Sequence, residues 1–245
     1  MRIWVIVLTL VLGATLAHAE RPMMFVYFEN YAPYSWQENN QMRGILIDVV
    51  NEAVHKRMGV PVAQQGYPWA RAQLLVEKGA ADAFVTVPTP ERKAYAQFGQ
   101  EPVLRTDFKI FAKAGGSRTR ELEKVSSIPE LKPFKLTDYL GNGWSKENLK
   151  GLNVHWLAAM DYIFPYLYEE RADATVQVAS VCRYNIKKTG YQNRIVELPN
   201  VLSSAPFSLG IGRNSTYSHI LPQVDQTIRQ MRGDGTLQQI YDKYK

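Results

Sequence analysis

The chain of 245 residues is 46% hydrophobic and 21% charged, with a formal net charge of +6 and one cysteine, Cys182. A lone thiol excludes a disulfide framework. The basic excess contains no run of five like charges, so it reads as a solvated surface and not as a nucleic-acid footprint.

Arg2, the apolar or small residues 3–16 and then Ala17-His18-Ala19 make the charged start, apolar middle and small-residue end of a secretory signal. The apolar run is about 14 residues, short of the roughly 20 that a membrane-spanning helix needs. Cleavage after Ala19 leaves 226 residues from Glu20 with a charge of +5, enough for one large domain or two lobes. No cysteine ends the signal segment, so no lipid anchor is expected, and no later segment is apolar enough to span a membrane. An exported, unanchored chain points to a bacterial periplasm.

Residues 23–28 read as a buried strand, followed by the turn-rich Asn30-Tyr31-Ala32-Pro33-Tyr34. From Ile47 the spacing becomes helical, with Ile47, Val50, Val54 and Met58 on one face and Gly59 at the end. A short strand near Val62, the loop Gly66-Tyr67-Pro68-Trp69, a helix over 70–78 and a strand over 81–87 come next. In the second half, strands are expected at 134–139, 152–156 and 194–198, with helices at 146–150 and 161–171, the latter disturbed by Pro165. Residues 204–213 read as an extended crossing. Ser218 and Thr236 each cap a terminal helix, separated by Gly233-Asp234-Gly235. Alternating strands and helices argue an α/β fold with mainly parallel sheets.

An internal repeat organises these elements. Residues 81–87 read Ala-Asp-Ala-Phe-Val-Thr-Val, and residues 172–178 read Ala-Asp-Ala-Thr-Val-Gln-Val. Each copy follows a helix ending in charge and precedes another helix, which argues two similar α/β lobes.

Thr89-Pro90-Glu91-Arg92 has a good cap, a proline suited to the first helical position and an acid in the first turn. Arg92 opposes the helix dipole there, a conflict that a bound anion would relieve; the alternative is a surface arginine paired with a nearby acid. Trp69 and Arg71 stand at a strand-to-helix junction, and Tyr31 and Tyr34 lie at the same end of the sheet, where α/β ligands bind. Trp69 could equally be a core aromatic and Arg71 a solvated cation. In the second half, Gly141-Asn142-Gly143-Trp144-Ser145 lets backbone approach a ligand or forms an ordinary tight turn. Gln177, at the end of an apolar strand, bonds a solute or a neighbouring carbonyl. His55, His155 and His219 lack metal-ligand spacing, no nucleophile or phosphate motif occurs, and Cys182 is a small apolar filler. No cofactor or metal is expected.

Pro33-Tyr34, Gly44 through Asp48, Trp69, Asp82, Glu91-Arg92 and the closing Gly235-Thr236-Leu237 to Tyr244 resemble the bacterial extracellular solute-binding proteins of family 3, the amino-acid-type periplasmic receptors of ABC importers. The resemblance spans the mature chain. It implies a two-lobed clamshell with two hinge crossings, near 109–113 and 205–212. One lobe would hold 20–111 and 206–245, the other 112–205. It implies further that Arg92 holds a carboxylate, that Tyr31 and Trp69 sandwich the solute, and that the Gly141 loop closes on it. The expected solute-contacting set is Tyr31, Tyr34, Trp69, Arg71, Thr86, Arg92, Asn142, Trp144 and Gln177. Such a protein would be monomeric, would dock on an inner-membrane permease and would catalyse nothing; the alternatives are a cyclohexadienyl-dehydratase-like enzyme or a ligand-sensing partner of a membrane receptor. Family receptors usually carry an Asp where this chain has Val178, and the segment from Asp82 to Arg92 is shorter than in glutamine-binding protein. With Arg71 as an added cation, these departures shift the expected ligand toward an anionic or multiply carboxylated solute.

Overall fold

The computed structural model describes residues 21–244, so the expected signal segment and cleavage site lie outside the described residues. The strands are β1 (Met23–Phe28), β2 (Asn30–Tyr31), β3 (Ser35–Glu38), β4 (Gln41–Arg43), β5 (Val62–Tyr67), β6 (Ala83–Thr86), β7 (Ala96–Phe98), β8 (Leu104–Lys113), β9 (Leu136–Tyr139), β10 (Val154–Leu157), β11 (Ala174–Val178) and β12 (Ile195–Gly212). The helices are α1 (Ile45–Val50), α2 (Trp69–Glu77), α3 (Pro90–Tyr95), α4 (Thr119–Leu122), α5 (Gly143–Asn148), α6 (Ile163–Tyr168), α7 (Ala179–Lys188), α8 (Leu221–Gly233) and α9 (Thr236–Asp242).

The main sheet runs β10-β9-β11-β8-β12-β6-β1-β5. Its two ends repeat one plan. In one, β5 and β6 flank β1 in parallel; in the other, β10 and β11 flank β9 in parallel. Each set of three is closed by an antiparallel crossing strand, β12 against β6 and β8 against β11. The two copies of the internal repeat supply β6 and β11, the third strand of each set. Helices cover both faces, as parallel strands buried on two sides require. The result is a two-lobed clamshell with mixed α/β sheets.

β8 and β12 pair with each other from Leu104↔Phe207 to Lys113↔Ile195, with register shifts between Glu197 and Ser203. At Ser208, β12 leaves β8 and pairs with β6.

Several local features depart from the sequence reading. The helix begun at Ile45 continues as a π-helical stretch, Asn51–Arg57, that still buries Ala53 and Val54. The turn-rich segment after β1 opens into a separate three-stranded sheet, β2-β3-β4. The helix expected at 146–150 starts at Gly143, because the Asn142 side chain accepts the backbone N–H of Ser145. Thr236 begins α9 instead of capping it, and Gly235 takes the left-handed cap conformation at φ +81°. Gly44 cannot be replaced without movement: at φ +126°, a Cβ would sit 2.4 Å from the Tyr34 carbonyl oxygen. Among the described residues, no helix is long and apolar enough to cross a membrane.

Candidate functional site

The site lies where the two parallel sets face each other, and Arg92 is its centre. Thr89 caps α3 as expected, its hydroxyl accepting the Arg92 backbone N–H. α3 is only six residues long, so the side chain's surroundings matter more than the helix dipole. Arg92 is 3% exposed. Its Nε donates to Gln73 Oε1 at 2.9 Å and its Nη1 to the Val87 carbonyl at 2.9 Å. The guanidinium carbon lies 5.2 Å from the centre of the Trp69 ring, a cation–π contact that gains strength out of water. Among the described residues no carboxylate forms an ion pair with Arg92; Glu91 turns outward to Lys146 at 3.1 Å. Burial lowers the Arg92 pKa, yet a guanidinium stays protonated. A buried cation without a counter-ion costs folding energy, which an arriving anion recovers.

Aromatic rings wall this cation. Phe28 stacks on Tyr31 at 5.4 Å and on Trp69 at 6.4 Å, each pair 22° from parallel. From the opposite lobe, Tyr139 approaches Phe28 to 5.6 Å, and Trp144 lies flat on Phe108 at 3.7 Å. Thr86, Val87, Asn142 and Phe207 also line the cavity, together with Tyr27, Ser35, Leu46 and Val85. Burial pushes the Tyr31 and Tyr139 hydroxyls well above the ordinary phenol value, so both remain neutral. The cavity measures about 30 Å³, room for about two water molecules. A solute therefore has to part the lobes to enter.

Contacts between the lobes show that this arrangement is closed. Gln73 donates to the Gly141 carbonyl at 3.0 Å, Asn30 to Asp161 at 2.7 Å, and Ser180 to the Tyr34 hydroxyl at 3.0 Å. Trp36 and Tyr184 meet at 6.2 Å. Backbone packs on backbone at the Gly141 loop: a Cβ on Gly141 would lie 3.2 Å from the Ala70 nitrogen, and one on Gly143 would lie 2.9 Å from Arg92 Nη2.

The sequence reading missed Asp138. It is the next-to-last residue of β9, is 0% exposed, and accepts hydrogen bonds from the Tyr139 backbone at 2.7 Å, Gln177 Nε2 at 2.8 Å and Asn142 Nδ2 at 3.2 Å. Burial pushes its carboxyl up to about 6, against the pull of those donors. The Ser145 hydroxyl lies close enough to act on Asp138 but has no hydrogen bond of good geometry. An acid inside a strand is itself a signal, because Asp is depleted in strands.

Of the nine expected residues, the structure brings Tyr31, Trp69, Thr86, Arg92, Asn142 and Trp144 to one chamber. Tyr34 is buried beside it, donating to Thr106 at 2.9 Å. Gln177 lies behind the chamber wall on Asp138. Arg71 is exposed, its guanidinium 5.1 Å over the Tyr67 ring and outside the chamber. Its helix buries Trp69, Ala72 and Val76, and Arg71 falls on the other face.

A crevice between two hinged α/β lobes, lined by rings around one buried cation, defines a solute-binding clamshell. Residues 24–245 match the family described as bacterial extracellular solute-binding proteins, family 3, and the chain belongs to that family. The probable amino-acid-binding protein YxeM of Bacillus subtilis (strain 168) is 22% identical over 219 residues, 86% of this chain and 79% of that protein. A histidine kinase sensor domain with similarity to periplasmic binding proteins superposes with a TM-score of 0.79 at 16% identity, covering 91% of this chain and 96% of that one. The ancestral amino-acid-binding protein AncCDT-1, a precursor of cyclohexadienyl dehydratase, gives a TM-score of 0.71 at 24% identity, covering 91% and 95%.

Proposed function

We propose that this protein captures a small carboxylate-bearing solute, amino-acid-like or an organic acid, in the periplasm and delivers it to an ABC-type importer. The buried, uncompensated Arg92 carries this reading, because a carboxylate seated on it gains a charge-assisted, forked contact in a dry site. Solute binding then favours the closed form through contacts made by both lobes. The mature chain starts at Glu20 and acts as a monomer without cofactor. One lobe, residues 20–111 and 206–245, is built on β5-β1-β6 and the other, residues 112–205, on β10-β9-β11, with the connections running through β8 and β12.

The kinase sensor domain's likeness supports a second use of the same closure, presenting the loaded form to a membrane receptor. On this reading the protein releases its solute unchanged. Asp138, bonded to the chamber residue Asn142, is fully buried behind Asn142 and Gln177.

The test is a thermal-shift panel of amino acids and organic acids on the mature protein, followed by calorimetry of the hits. Arg92→Gln should weaken the best ligand at least tenfold, since a hydrogen bond to a charged group contributes roughly 1.5–3 kcal/mol. Equal affinity in the two proteins would remove Arg92 from recognition, and no hit at all would count against solute capture.

A further inference from the structure

Resting on that reading of the crevice, we infer that the solute is an aromatic monocarboxylate without an α-ammonium group. Three observations converge. The chamber contains one cation, Arg92, while Arg71 faces solvent. One carboxylate is therefore matched; a second would be buried with no charge partner, at a heavy desolvation cost.

An α-ammonium group fares no better. No Asp or Glu lines the chamber. The adjacent carboxylate, Asp138, is fully buried and already bound by the Tyr139 backbone, Asn142 and Gln177. The Asn142 carbonyl oxygen is likewise committed, to the Ser145 N–H.

The walls select the body of the ligand. Phe28 lies 22° from parallel with each of Tyr31 and Trp69 on one side, and Tyr139 meets Phe28 across the lobes at a 41° tilt. Ring faces on both lobes make a slot that favours a flat aromatic body, which gains offset or edge-to-face contacts there. Arg92 already lies over Trp69, so a ring in the slot places its carboxylate beside the guanidinium.

Matched probes test the inference by calorimetry and by the emission of Trp69 and Trp144: 3-phenylpropanoate, phenylalanine, butanoate, succinate and glycine betaine, alongside the standard amino acids. The expected result is that 3-phenylpropanoate binds at least tenfold tighter than any other probe and quenches emission, with Arg92→Gln erasing the preference. Tighter binding of phenylalanine, another amino acid, succinate or betaine overturns the inference and leaves solute capture standing. Failure of every probe overturns both.

Discussion

Asp138 makes the fold pay for its ionisation, and the cost can be measured by removing the titration with Asp138→Asn. An ordinary Asp titrates at 3.8, and burial pushes this one up to about 6. The folded state thus binds the proton more tightly than the unfolded chain. Stability contributed by the protonated form is fully present below 3.8 and is lost as pH rises through about 6, because in that window the native state holds more protons. A difference of about 2 pH units at 1.36 kcal/mol each is about 3 kcal/mol. The amide cannot ionise, and it still offers one oxygen to Gln177 and Asn142. Urea unfolding of both proteins from pH 3.5 to 7.5 isolates the effect, since all other groups titrate in common. The variant should gain about 3 kcal/mol on the wild type across that range, on top of any constant offset. A difference that stays flat with pH, or one that moves in the wild type's favour, refutes the reasoning.

Gly141→Ala should impair both folding and closure. The left-handed φ of +91° costs a side-chain-bearing residue about 1–3 kcal/mol, and the new methyl presses on Ala70 of the other lobe. Small-angle scattering with saturating ligand should show a more expanded variant; unchanged scattering and affinity would show that this contact is absent from the bound form. Arg21→Ala has the opposite pH signature to Asp138→Asn. Burial alone would raise the Asp82 carboxyl, but Arg21 at 2.7 and 2.8 Å, the Met24 N–H and Ser215 hold it below its ordinary value. Such a group stabilises above its unfolded pKa and loses that contribution as pH falls through the folded one. With Arg21 more than half exposed, the loss at pH 7 should be about 1 kcal/mol and should shrink progressively as pH falls below 3.8; a loss that stays constant into acid would exclude this ion pair as its source.

What could be read from the residues divides along physical lines. Runs packed on one sheet were legible: the apolar Met23–Phe28 strand, the Thr89 cap and the repeat that marks β6 and β11 all depend on neighbours in sequence. The β2-β3-β4 sheet was hidden because Ser35–Glu38 and Gln41–Arg43 are short, half-exposed and without apolar alternation. β12 was seen only as a strand at 194–198 and a crossing at 204–213. Its 18 residues pack against two different partners, so no single period describes them. Asp138 escaped because its partner Gln177 is 39 residues away. The placement of Arg71 was available in principle, since the spacing of Trp69, Ala72 and Val76 already sets the buried face of α2.

The ladder joining β8 to β12 has a mechanical consequence. Leu104, Arg105, Thr106 and Asp107 are paired in register with Phe207, Pro206, Ala205 and Ser204, so the two connections move as one ribbon. A hydrogen-bonded ribbon twists and bends at little expense, but sliding one strand along the other would break every rung. In the proposed opening, such a ribbon would confine the lobes to rotation about a narrow axis and bring the two walls of the chamber back in one alignment.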